Sequence, residues 1–106
     1  MANPFAGEVA VTLDGVEHLA KLTLGALAEL EATLEASSLI EIVERFEQGR
    51  FSSRDVLVLI VAGLRGGGWS GTAQDLLRVE IQGGPVAAAK AAAELLARAF
   101  AAPDQG

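Results

Sequence analysis

A chain of 106 residues with no cysteine and a formal net charge of −6 fits one small domain whose core supplies most of its stability. It has no disulfide framework and no thiolate metal site. The acidic balance argues against a nucleic-acid surface, which needs a lysine and arginine excess to displace counterions from phosphates.

The start, MANPFAGEVAV, lacks the basic stretch and long apolar core of a secretion signal. The longest apolar run, residues 56–64, is less than half of the roughly 20 residues that cross a bilayer. The expected compartment is therefore the cytoplasm, and residues 1–6 and 103–106 are the expected frayed ends of a domain spanning 1–106.

Residues 8–13 alternate, with Val9, Val11 and Leu13 on one face, and residues 16–22 repeat the alternation with Val16, His18, Ala20 and Leu22. Asp14-Gly15 between them is the strongest short hairpin signal. A two-residue turn sets Leu13 opposite Val16, Val11 opposite His18 and Val9 opposite Ala20, with Glu8 facing Lys21. Two strands alone are marginal in water, so the hairpin needs the following helices or another chain.

From Thr23, an N-cap, the period becomes helical. In LTLGALAELEATLE the residues Ala26, Leu27, Leu30 and Leu34 fall on one side, with Glu29, Glu31 and Glu35 elsewhere. Ser38 and Glu41 have the spacing of a capping box opening a second helix, with inner residues Leu39, Ile42, Val43 and Phe46 and a stop at Gly49. A third helix begins near Ser52, with Asp55 at the box position, and runs through DVLVLIVAGL to Gly66. Its β-branched, apolar character also permits a buried strand, but the signals at both ends favour helix. A short fourth helix starts at Thr72 with Asp75 three residues on, and RVEIQGG breaks the pattern. The last helix has Pro85 at its start and runs to about Ala101. The expected fold is α+β and mainly helical, an N-terminal β-hairpin followed by four to five short helices.

Catalytic chemistry finds little support. His18 is the sole histidine and stands in register with apolar strand residues, a structural position. Glu29, Glu31 and Glu35 spread over an outer arc, where solvation accounts for them. No serine lies in a nucleophile elbow. No catalytic residue, cofactor or metal site is expected, and the chain reads as a non-enzyme.

The stretch RGGGWSG, residues 65–71, places four glycines around the only tryptophan. A phosphate loop requires a lysine and a hydroxyl after the last glycine, following a strand. Here the glycines follow a helix, and no lysine stands between Lys21 and Lys90. The glycines read instead as backbone freedom, which leaves Trp69 as either a lid over the core or a partner anchor. Helix three raises the same alternative. With Val56, Ile60 and Leu64 turned inward, Val58 and Ala62 lie opposite, so either two layers enclose the helix or it offers a docking strip. Val58, Ala62, Arg65 and Trp69 are the candidate partner-binding residues.

The order FAGEVAVTLDG, LTLGALAELEATL, RFEQGRFSSRDVLVLIVAGLRGGG resembles the tail assembly chaperones of gene transfer agents and related tailed phages. The likeness runs from residue 4 to about 68, and covers the alanine-rich C-terminal third in character only. It implies a bacterial, non-enzymatic protein that binds the helical tape-measure protein until tube subunits polymerise around it. The same group is also described as tail tube protein, which implies instead a structural tube or adaptor subunit, with copies joined through the hairpin edge.

Overall fold

The computed structural model describes residues 7–36 and 38–100, so the expected frayed ends 1–6 and 103–106 lie outside the described residues. Strands β1 (Val9–Leu13) and β2 (Val16–Ala20) pair antiparallel with Leu13 opposite Val16, Val11 opposite His18 and Val9 opposite Ala20. Asp14 and Gly15 both hold positive φ, 48° and 82°, the geometry of a turn whose twist matches that of the flanking strands. Val9, Val11, Leu13 and Ala20 are buried, as alternation requires, whereas Val16 is 58 % exposed. It stands at the hairpin tip, beyond the helices that cover the rest of the face.

Among the described residues five helices follow: α1 (Leu24–Thr33), α2 (Leu39–Glu47), α3 (Ser53–Gly66), α4 (Ala73–Leu77) and α5 (Gly84–Ala99). The fold is α+β and mainly helical. Each of the first four opens on a side chain that satisfies an otherwise unpaired backbone N–H. Thr23 Oγ1 accepts from Ala26 N and Ser38 Oγ from Glu41 N. Ser52 with Asp55, and Thr72 with Asp75, form complete reciprocal boxes. DVLVLIVAGL is helical, because the box at Ser52 starts it and the glycines end it. Helix α5 starts at Gly84 with Pro85 in its first turn and ends at Ala99.

Helix α3 is the central element. It packs against α1, α4, α5 and β2, and Leu59, Ile60 and Leu64 on it are fully buried together with Leu30, Ile42 and Leu95. Its apolar surplus is thus consumed by neighbours on more than one side, the two-layer alternative of the sequence reading.

The outer edge of β1 is partly covered, and β2 is covered at its exit. On β1, Asp14 N donates to Glu80 O at 2.9 Å and Gln82 N to Thr12 O at 3.0 Å, while Glu80 N donates to Asp14 Oδ1 at 2.9 Å. Ile81 bridges to Leu13, and Arg98 of α5 donates to Glu8 O. RVEIQGG therefore does more than break a pattern: it lays a short third rung beside β1. On β2, Lys21 N donates to Gly63 O at 2.8 Å, which ties the strand's exit to α3.

Candidate interaction surfaces

The glycine run ends α3 against the edge of β2. A Cβ at Gly66 would stand 2.0 Å from Lys21 O, and one at Gly67 would stand 1.9 Å from Leu19 O. Both positions accept only glycine because strand carbonyls occupy the space of a side chain. Gly68, at φ 107°, then turns the chain, and Trp69 N donates back to Leu64 O at 2.9 Å. The glycines lie at the carbonyl end of a helix, whose dipole repels phosphate; the segment is a packing joint.

Trp69 is half-buried and packs against the core, with its indole lying on Gly71, where any Cβ would fall 2.2 Å from the ring. Val58 is half-buried, and Ala62 is 5 % exposed beneath α1. Arg65 reaches solvent, with Nη1 3.6 Å from Glu29 Oε2; both side chains are exposed, so the pair adds little stability. The four residues are neighbours, but they do not form an outward strip. Val58, Ala62 and Arg65 line a depression of about 170 Å³ between α1 and α3, while Ala62, Arg65 and Trp69 line a second of about 420 Å³. Glu29, Ala62 and Arg65 form the wall common to both.

Two larger grooves, which the sequence reading missed, lie on the side of α5. One, of about 580 Å³, runs between α5 (Pro85, Ala88, Ala89), α3 (Val56, Leu57, Ile60) and α4 (Leu76, Leu77). The other, of about 540 Å³, runs between α5 (Ala93, Leu96, Ala97) with its C-cap Phe100 and α2 (Ile40, Val43, Phe46). Each has one ring of a stacked pair in its wall, Phe51 and Phe46, with centroids 4.5 Å apart. Large apolar side chains stand exposed along the grooves, among them Leu77, Ile40 and Phe100.

Helix α2 is held in place by charge as well as by stacking. Asp55, 7 % exposed, accepts from Ser52 N at 2.9 Å and from Arg45 Nη1 at 3.2 Å. Arg45 Nη2 also lies 3.6 Å from Glu41 Oε2. One carboxylate thus caps α3 and anchors α2 beside it. In the sequence, Ala88, Ala92, Leu95, Leu96, Ala99 and Phe100 fall on one apolar arc, a pattern that cannot by itself tell an internal face from an external one.

Among the described residues, no group of three or more His, Cys, Asp or Glu is arranged to hold a metal. Among the same residues, no helix is long and apolar enough to cross a membrane.

The family described as "Phage tail tube protein, GTA-gp10" matches residues 6–102, all but the extreme ends of the chain. The chain belongs to this family. Membership makes it a gene transfer agent tail-type protein, in agreement with the resemblance carried by residues 4–68, and extends that resemblance through α5. Neither the curated proteins nor the solved structures give a match. The family's description is of a tail tube protein, which corrects the weight given to the chaperone role in the sequence reading.

Proposed function

We propose that this chain is a non-enzymatic structural subunit of a phage-like tail, of tube or adaptor type, assembled in the bacterial cytoplasm into a gene transfer agent or prophage particle. The match to the tail tube family over residues 6–102 carries this reading. The disposition of the buried chemistry supports it: Asp55, the one buried charged residue among those described, is engaged by Ser52 and Arg45 in holding two helices together.

A second reading, an assembly chaperone that binds the tape-measure protein, is favoured by the hairpin edges. Joining copies by strand addition requires open backbone groups on a sheet edge. Here residues 80–82 and Arg98 cover β1, and α3 covers the exit of β2. Strand addition along β1 would have to displace those contacts, which weighs against joining copies through that edge.

Antibody labelling of purified particles, viewed by electron microscopy, separates the two. Label on the tail supports the structural subunit; label absent from tails, with the protein abundant in the lysate, supports the chaperone.

A further inference from the structure

The residues that α5 and its C-cap, Phe100, contribute to the two large grooves are Pro85, Ala88, Ala89, Ala93, Leu96, Ala97 and Phe100 itself. Counted from Pro85 they fall at i+3, i+4, i+8, i+11, i+12 and i+15, a single stripe along one side of a helix. The grooves therefore follow one another along the same side of α5, the second turned around the helix from the first. At 1.5 Å per residue the stripe is about 22 Å long. Four of its seven residues are alanines, which let a second helix approach closely, and the opposing wall consists of apolar side chains of α2, α3 and α4.

The charge along this trough is one-sided. Glu44 and Glu47 line the half beside α2, both are exposed, and neither engages a cation among the described residues. Arg54 is the single cation lining the other half, and it donates to Thr33 O.

We infer that this trough docks one amphipathic α-helix of another polypeptide, about four turns long, whose apolar stripe is flanked by lysine or arginine where it passes Glu44 and Glu47. This inference rests on the trough and does not depend on the tail reading. The occupant is a helix because the walls are formed largely by helices, whose backbone groups are already paired, so an extended peptide finds no strand edge there. It belongs to another polypeptide because, among the described residues, no helix has the complementary character. Helix α1 carries no basic residue, α2 is acidic, α3 is central and largely buried, α4 has five residues, and α5 is the trough floor.

The test uses a fluorescently labelled amphipathic peptide of leucine, alanine and lysine, about 16 residues long to match the trough, and its counterpart with glutamate for lysine. Fluorescence anisotropy with the full chain is expected to show the lysine peptide binding at least roughly tenfold more tightly than the glutamate peptide. Ala93 is exposed, so Ala93→Glu leaves the fold intact by circular dichroism while weakening the lysine peptide at least roughly tenfold, by placing a charge on the apolar floor. Glu44→Gln with Glu47→Gln narrows the gap between the two peptides.

Absence of binding by either peptide overturns the inference, as does equal binding of both. Diffuse attraction to a chain of net charge −6 would make Ala93→Glu bind the lysine peptide more tightly, which also overturns it. Sedimentation showing self-association that Ala93→Glu abolishes would assign the trough to a second copy instead, against the inference.

Discussion

Gly67→Ala is expected to destabilise the protein by about 3 kcal/mol, the upper part of the range for overpacking a filled site. The added methyl would sit 1.9 Å from Leu19 O and 2.9 Å from its carbonyl carbon, and neither is a flexible side-chain end that could swing away. Either α3 must withdraw from β2 or the strand must bend, and both moves disturb the Lys21 N to Gly63 O bond. Urea unfolding followed by the fluorescence of Trp69, the sole tryptophan, measures the loss. Gly68→Ala provides the contrast. It meets nothing within 4 Å and is opposed only by φ 107°, so its cost is of conformational strain, on the order of 1 kcal/mol. Equal, small effects at both positions would show that α3 does not press on the strand edge.

Leu64→Ala is expected to cost about 3 to 4 kcal/mol, within the range for a leucine lost from a core that cannot collapse around the cavity. Leu64 is fully buried on the central helix, and its carbonyl accepts from Trp69 N, so the site is braced by the turn that follows. Marginal stability of roughly 0.05–0.15 kcal/mol per residue leaves a domain of this size little reserve, and a large share of the chains should unfold at elevated temperature. Leu77→Ala, at a residue 69 % exposed, should change stability by no more than about 0.5 kcal/mol. Comparable losses from both variants would contradict the placement of Leu64 in the core and of Leu77 at the surface.

The hairpin was legible because two independent signals agreed. Asp14-Gly15 fixed the loop length, and alternation on both strands fixed which side chains face each other. The helix starts were legible for a similar reason, since Thr23, Ser38, Ser52 and Thr72 each announce themselves by type and by the residue three positions on.

What was not legible is where faces meet. Periodicity left Val58 and Ala62 open between an enclosed face and a docking strip, because it measures one face against its opposite and does not show what covers the second. Helix α3 packs against α1, α5 and β2 at once. Gly66 and Gly67 read as flexibility, because a sequence does not show the carbonyls of Leu19 and Lys21 that occupy their side-chain space. The rung formed by residues 80–82 is too short for any period to register. The trough depends on α2 being pinned through Arg45, Asp55 and the Phe46–Phe51 stack, contacts between residues that the local pattern treats separately.

The proposed role as a tail subunit is tested most directly by quantitative mass spectrometry of purified mature particles against the lysate that produced them. The account predicts this protein in the particles at many copies per tail. Its absence from particles, together with abundance in the lysate, would contradict a structural subunit and assign the chain to assembly alone.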